Sequence, residues 1–160
     1  MSDRFPAQID IGGPVPKALR SQLIQAMAAE NAILDNWDGS RATAELLEET
    51  MKKGQILSLY NAQASYGKFH ELEAFLIEHS IHFDRRSEAY REYNAEAVFY
   101  RGCEEPLVLP ADQNGGIMLY SDSVSEILDD PALDDPAKIA ALRCLVAPPE
   151  AAELQPIRFI

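Results

Sequence analysis

Three side chains that could do chemistry alternate along one short segment of the sequence. His82, Asp84 and Arg86 are spaced two residues apart, and Ile81 and Phe83 occupy the positions between them. Successive side chains of a β-strand point to opposite faces of the sheet, so this spacing predicts one polar and one apolar face. An imidazole, a carboxylate and a guanidinium that share a face can exchange protons or bind a polar ligand.

Neighbouring strands are expected to extend this polar face. The strands predicted at residues 56–64 and 95–101 also carry polar side chains at alternate positions. If the strands align, their amides, acids, bases and a phenol form one ligand-binding patch. The residues of this predicted patch are Asn61, Gln63, His82, Asp84, Arg86, Glu96 and Tyr100. Tyr90 and Tyr93 lie between the last two strands and are expected to border it.

The patch allows three interpretations. The first is a surface through which a non-enzymatic binding or regulatory protein recognises a small ligand or a partner protein. The second is a small enzyme that uses His82, Asp84 and Glu96 for acid–base catalysis, which requires side chains within hydrogen-bond reach. The third is a sheet with one face left in solvent, as antiparallel sheets often have. We favour the first over the enzyme because the sequence carries no recognisable catalytic motif.

Motifs for cofactors and metals are incomplete. Residues 12–17 join a predicted strand to a predicted helix, but they match neither the Walker phosphate loop nor the dinucleotide fingerprint. His79, His82 and Asp84 are close enough in sequence to be considered as metal ligands. A histidine at a helix C-terminus is, however, also favoured by the helix dipole alone. We therefore expect no cofactor and no metal.

Cysteine content and the N-terminal residues predict a cytoplasmic protein. The chain has two cysteines, too few for a disulfide framework, and reduced thiols are typical of the cytoplasm. Cys144 lies between Leu142 and Leu145 on a predicted helix and is expected to be a buried, inert thiol. The first residues lack the apolar run of a secretory signal. No segment approaches the ~20 apolar residues that span a bilayer.

Negative charge is concentrated in the last third of the chain. The net charge is −12, and residues 103–160 hold 11 acidic and 3 basic side chains. Such a field repels phosphate backbones and anionic lipids, so nucleic acid and membrane surfaces are not expected as partners. The expected partner is an unidentified protein or small ligand. An acidic decoy of a DNA-binding protein is an alternative, with carboxylates in place of phosphates.

The pattern of apolar residues predicts an α+β fold. A strand at 56–64, a helix from Ser65 to about His79, and strands at 81–84 and 95–101 form a β-α-β-β unit, ferredoxin-like in topology. We expect a mixed sheet of four or more strands with helices mainly on one face. Six apolar side chains are assigned to the core side of this unit: Phe69, Leu72, Phe75, Leu76, Ile81 and Phe83.

The remaining elements are predicted on both sides of this unit. A strand at 8–11 and helices at 16–35 and 41–53, the second capped by Ser40, precede it. A hairpin of strands 107–109 and 117–119, two helices and a C-terminal edge strand follow it. We expect one domain, 1–160, in which 103–160 is an acidic extension packed on the rest. The exposed edge of the tail makes a homo-oligomer an open prediction.

Overall fold

A computed structural model of the chain describes residues 3–34, 43–103, 105–112 and 114–160. These ranges contain both strands and helices, in no regular alternation. In order, the elements are β1 (Arg4–Gly12), β2 (Pro14–Val15), α1 (Arg20–Ala29), β3 (Ile33–Leu34), α2 (Ala44–Lys52), β4 (Leu57–Ser65), α3 (His70–Glu78), β5 (His82–Ser87), β6 (Glu96–Tyr100), β7 (Leu107–Pro110), α4 (Ser121–Asp129), α5 (Asp135–Val146) and β8 (Arg158–Phe159). The α+β prediction is confirmed.

One six-stranded sheet organises these elements, in the order β3-β4-β1-β5-β6-β7. Every neighbouring pair in it is antiparallel, so the prediction of a mixed sheet is wrong for this sheet. The predicted β-α-β-β unit corresponds to β4, α3, β5 and β6, and its last two strands form the expected hairpin. β1 lies between β4 and β5 and is antiparallel to both. The ferredoxin-like arrangement stays a prediction.

Helices α1, α2 and α3 cover one face of this sheet, which we call the helix face. Leu23, Leu47 and Leu72, one from each helix, are fully buried against sheet residues such as Ile9 and Leu59. The core-side prediction is confirmed: five of its six residues are fully buried, and Phe75 is partly buried against them. Burial of each large apolar side chain contributes about 1.5–3 kcal/mol to folding.

Several predicted boundaries are wrong, and local backbone geometry explains them. Helix α1 ends at Ala29 because Asn31 adopts a left-handed conformation, with φ of 52°. Residues 33–34, predicted as helix, then pair with β4. Thr43 caps α2, whereas the predicted cap Ser40 lies outside the described residues.

Two further predictions fail at turns. The helix predicted from Ser65 begins only at His70, because Ser65 is the last residue of β4. The carboxylate of Glu30 accepts from the amides of Glu71 and Leu72 in the first turn of α3. The predicted hairpin after β7 turns tightly at Gly115, with φ of 78°. Its second strand does not form: among the described residues of this hairpin, Ala111 and Ile117 make an isolated bridge and no longer ladder follows.

The opposite face of the sheet, which we call the open face, is crossed by the C-terminal segment, residues 149–159. Ala151 packs against the small buried cluster on β6, and the carbonyl of Gln155 accepts from the amide of Gly13 at 2.9 Å. Ile157 then enters the main core. The predicted C-terminal strand is present as β8, which pairs in parallel with β2 of the same chain.

The two helices before this segment, α4 and α5, are much less covered. They contact each other, and neither contains a buried residue. Among the described residues, no helix is both long and apolar enough to cross a membrane.

Candidate functional site

The pairing of β5 with β6 divides the predicted patch between the two faces of the sheet. Directly opposite residues of paired strands share a face. Asp84 is opposite Phe99, and Ser87 is opposite Glu96. His82, Asp84 and Arg86 therefore lie on the open face, as predicted together. Glu96 and Tyr100 lie on the helix face, so the prediction that they share a face with Asp84 is wrong.

The β4 residues of the patch are also separated from β5. β1 lies between the two strands, and Asn61 is opposite Ala7, whose neighbours Ile9 and Ile11 alternate onto the helix face. The Asn61 amide donates to the carbonyl of Glu30 at 2.7 Å. Gln63 is exposed near the end of β4. These two residues do not join the three on β5.

Side chains on the open face are engaged with each other and with the C-terminal segment. The carboxylate of Asp10 accepts hydrogen bonds from the side-chain amide of Gln8 at 2.9 Å and from the hydroxyl of Ser58 at 2.6 Å. Asp84 accepts from Arg101 at 2.7 Å. Burial, with a smaller effect of the Arg101 charge, lowers the pKa of His82 below its ordinary value. The carboxylates of Asp10 and Asp84 are thus already hydrogen-bonded within the protein, which is more typical of a structural polar surface than of a reactive centre.

The catalytic alternative requires the side chains of His82, Asp84 and Glu96 to lie close together, and the structure separates them. Glu96 lies on the other side of the sheet from the two others. No group of three His, Cys, Asp or Glu side chains that could hold a metal occurs in the described part of the chain. His79 instead packs edge-on against Phe75, with ring centroids 4.6 Å apart.

Cys144 differs from its prediction, since both Cys103 and Cys144 are free and exposed. The expectation of a buried Cys144 is wrong because, in the described part of the chain, no other element covers the side of α5 that carries it.

A different place brings aromatic and charged side chains together around a concave surface. A cavity of about 660 Å³ opens on the helix face, beside the turn that precedes α3 and the edge strand β7. Phe5, Tyr66, Tyr93 and Tyr120 supply its rings, and Lys68, Glu92 and Glu96 its charges. We call this site the tyrosine cleft.

Turns with fixed backbones position the rings of the tyrosine cleft. Tyr66 sits in the β4–α3 turn with φ of 54°. Tyr93 closes the β5–β6 turn, because its amide and carbonyl exchange hydrogen bonds of 2.9 Å with Tyr90. Phe5 stacks on Tyr90 and on Tyr93, with centroids 5.5 and 5.7 Å away. Tyr66 meets Tyr93 edge-on at 5.9 Å. The rings of Phe5, Tyr66 and Tyr93 therefore support one another without a ligand, whereas Tyr120 is 68% exposed.

A buried ion-pair network holds the acidic side of the cleft. The Arg85 side chain is 2% exposed and contacts the carboxylates of Glu73 and Glu96. Its Nε lies 3.0 Å from Oε1 of Glu73 without hydrogen-bond geometry, and its Nη1 donates to the carbonyl of Gly67 at 2.8 Å. One guanidinium faces two carboxylates here, so the network carries an excess negative charge when both acids are ionised.

Glu73 is the more deeply buried of the two acids, with 15% of its side chain exposed against 29% for Glu96. Burial raises the pKa of Glu73 above its ordinary value, and the Arg85 guanidinium opposes that rise only in part. Glu96, by contrast, is half-buried and lines the cavity itself. Of the two acids paired with Arg85, Glu96 is thus the one that a ligand in the cleft would meet.

Sequence reasoning places only part of this site. Glu96 and the bordering Tyr90 and Tyr93 are among the predicted residues, but Arg85, Tyr66 and Tyr120 are not. A usable signal exists for Arg85: continued alternation from Ile81 and Phe83 puts it on the core side, where a charged residue requires a buried partner. Nothing in the pattern around Tyr120 indicates that it comes near β7.

No protein-family model matches the chain, and neither a curated protein nor a solved structure matches it significantly.

Proposed function

We propose that the protein is a non-enzymatic binding protein whose target places a cationic side chain in the tyrosine cleft. The observation that carries this proposal is the cavity of about 660 Å³ lined by Phe5, Tyr66, Tyr93 and Tyr120 together with the carboxylate of Glu96. The target is a basic segment of another protein, and an arginine or lysine is its anchor.

Aromatic faces and fixed carboxylates are the chemistry that recognises organic cations. A guanidinium or ammonium within about 6 Å of a ring centroid gains about 0.5–1 kcal/mol at an exposed site and more when desolvated. The protein already uses this contact on its surface, where the guanidinium of Arg91 lies 5.1 Å from the ring centroid of Tyr90. Among the described residues that line the cavity, two are acidic and one is basic, which favours a positively charged ligand.

The charge of the whole protein acts in the same direction. A net charge of −12 attracts basic partners over long range and raises their association rate, most strongly at low salt. The same field disfavours nucleic acid and anionic lipid. Exposed free thiols at Cys103 and Cys144 suit a reducing compartment, and we place the protein in the cytoplasm, as one domain.

A titration with a minimal cationic ligand tests the proposal. Acetyl-Gly-Arg-Gly-amide is added to ¹⁵N-labelled protein and followed by amide chemical shifts, with the citrulline peptide as the neutral, isosteric control. We expect the arginine peptide to shift the amides of Tyr66, Tyr93 and Glu96, and the citrulline peptide to shift them far less. Equal shifts from both peptides, or arginine-dependent shifts confined to other surfaces, would contradict the proposal.

Matched variants identify the rings that bind the cation. Tyr66 and Tyr120 are 38% and 68% exposed, so the variant Tyr66→Ala/Tyr120→Ala is expected to fold. Its affinity for the arginine peptide should be at least fivefold lower, since two cation–π contacts are lost. Tyr66→Phe/Tyr120→Phe keeps the ring faces and should stay within about twofold of the original affinity. Loss of binding in both variants would assign the effect to the hydroxyls and not to the rings.

A further inference from the structure

The edge strand β7 directs backbone hydrogen-bonding groups away from the sheet, beside the tyrosine cleft. β7 is the last strand of the six-stranded sheet, and β6 is its neighbour on the inner side. Just beyond β7, the amide of Ala111 donates to the carbonyl of Ala95 on the β6 side at 2.9 Å. Backbone groups of an antiparallel strand turn to its two sides at alternate residues, so Leu109 faces β6 as Ala111 does. Val108 therefore directs its N–H and its C=O to the outer edge.

The first turn of the incomplete hairpin after β7 supports this alternation. The amide of Met118 donates to the carbonyl of Pro110 at 2.8 Å, so the Pro110 carbonyl also points to the outer edge. Val108 lies two residues before Pro110 and faces the same way. Among the described residues, no backbone hydrogen bond reaches Val108 from that outer side, and its side chain is 54% exposed. One amide and one carbonyl are thus accessible to a strand from another molecule.

The side chains of β7 relate this edge to the tyrosine cleft. Val108 is opposite Val98 and Pro110 is opposite Glu96, so all four lie on the helix face. Val108, Pro110 and Glu96 line the cleft. A residue of an added strand directly opposite Val108 would have its side chain on this same face. Its side chain would therefore pass over Val108 into the cleft.

A second copy of this chain fits the edge poorly. In a symmetric antiparallel dimer centred on Val108, Pro106 of one copy would be opposite Pro110 of the other. Neither proline has an N–H to donate, and Met118 already occupies the place opposite Pro110. Two chains that each carry a net charge of −12 would also repel each other. A segment of another protein that continues past Leu107 and Pro106 avoids these conflicts.

We propose that the basic target segment binds as an antiparallel strand added to β7, with its anchoring cationic residue directly opposite Val108. The backbone of that residue exchanges two hydrogen bonds with Val108, and its side chain enters the tyrosine cleft. In this mode of recognition, main-chain hydrogen bonds give affinity and side-chain pockets give specificity. The segment leaves β7 before Pro110, where Met118 lies. The inference rests on the cation site proposed for the cleft, to which it adds the conformation and the register of the ligand.

Backbone-methylated peptides test this inference without altering the protein. The probe is acetyl-Ser-Thr-Arg-Thr-Ser-amide, titrated into ¹⁵N-labelled protein, with the citrulline peptide as the neutral control. N-methylation of the arginine removes the N–H that would bond to the Val108 carbonyl, and should lower the affinity about tenfold. N-methylation of the threonine that follows removes an N–H that would point away from β7, and should change the affinity less than about twofold.

Amide exchange and two variants test the register on the protein side. A saturating concentration of the probe should slow hydrogen exchange at the Val108 amide and leave the Leu109 amide, which faces β6, unchanged. Val108→Pro removes the outward donor, a substitution that an edge strand tolerates where the N–H faces solvent, and circular dichroism checks the fold. The affinity of Val108→Pro for the probe should be about fivefold lower. Val108→Thr keeps the N–H and the branched side chain, and should bind as the original protein does.

The outcomes separate this inference from the cation site. If the arginine peptide binds more tightly than the citrulline peptide, but the two methylated peptides bind equally, the added strand is overturned and the cation site stands. Equal affinity of the arginine and citrulline peptides would overturn the cation site, and this inference with it. A dimer in light scattering that Val108→Pro abolishes would show that a second copy occupies the edge, which would also overturn the inference.

Discussion

The Nη1 atom of Arg101 lies 2.7 Å from Oδ1 of Asp84 on the open face of the sheet. The same guanidinium donates through Nε to the carbonyl of Ala152 at 3.0 Å and through Nη1 to the carbonyl of Tyr100 at 3.0 Å. Asp84, one of the predicted ligand-binding residues, thus helps to fasten the C-terminal segment across β5 and β6. Its polarity has a structural use in this protein.

Replacing Arg101 by methionine should destabilise the protein by about 2–3 kcal/mol, because it removes several charge-assisted hydrogen bonds and leaves Asp84 without its partner. The Arg101 side chain is only 14% exposed, so solvent replaces these contacts poorly. Urea unfolding of the original and variant proteins measures the difference. Lys53→Met is the matched control: it breaks an exposed pair with Glu49 and should destabilise the protein far less than Arg101→Met, because solvent screens an exposed ion pair.

Arg101→Met should also raise the pKa of His82. Burial, and secondarily the Arg101 charge, keeps the pKa of His82 below its ordinary value. Removing that charge leaves burial as the remaining cause, so the pKa moves upward toward 6.5 without necessarily reaching it. Ring-proton or ring-carbon chemical shifts followed against pH report this directly. A pKa that falls or stays constant in Arg101→Met would show that Arg101 does not act on the imidazole.

Glu73→Gln should change how stability depends on pH. A carboxyl whose folded pKa is raised binds its proton more tightly in the folded state. The unmodified protein therefore loses stability as pH rises from the ordinary value of 4.5 through the raised folded value. Glutamine does not titrate, so the stability of Glu73→Gln relative to the original should increase over that window. Urea unfolding at several pH values from about 4 to 7 measures this, and a relative stability that falls over the same window would contradict it.

The sequence specifies some parts of this fold more strongly than others. Phe69, Leu72 and Leu76 follow one helical stripe, and their burial is predictable because every other arrangement exposes large apolar groups. β6 is different, since Ala97 and Phe99 alternate with Val98 and Tyr100 and both sets are buried. Alternation cannot then decide which face is the core, and a shift by one residue reverses every side chain.

The position of β1 also lies beyond local patterns. Its own alternation through Ile9 and Ile11 is clear, but its place between β4 and β5 depends on pairings across the whole chain. The candidate site shares this limit. Phe5, Tyr66, Tyr93 and Tyr120 come from four separate segments, and only the tertiary fold brings their rings together.

Gly12→Ala should displace the C-terminal segment from β1. A Cβ atom at Gly12 would lie 2.1 Å from the carbonyl oxygen of Gln155 and 2.8 Å from Cγ of Leu154, so the segment must move. We expect faster hydrogen exchange at the amides of Gly13 and Arg158, which bond across this contact. Gly54→Ala is the control: the space around Gly54 is open, and only its positive φ adds a local cost of about 1 kcal/mol. Unchanged exchange in Gly12→Ala would show that the segment is not held there.

Lys68→Gln distinguishes a cation-binding cleft from an anion-binding one. Lys68 is the only base among the residues described as lining the tyrosine cleft, and it is exposed. Its ammonium repels a cationic ligand and would attract an anionic one. Removing this charge should therefore raise the affinity for acetyl-Gly-Arg-Gly-amide by about twofold, the size expected for one screened surface charge. Lys52→Gln, on the exposed end of α2, is the control for the change in net charge and should have a smaller effect.

If Lys68→Gln lowers the affinity for the arginine peptide, the Lys68 side chain contributes to binding in a way that a cation in the cleft does not explain. If it also removes affinity for an acetyl-Gly-Glu-Gly-amide that the original protein binds, the cleft selects anions.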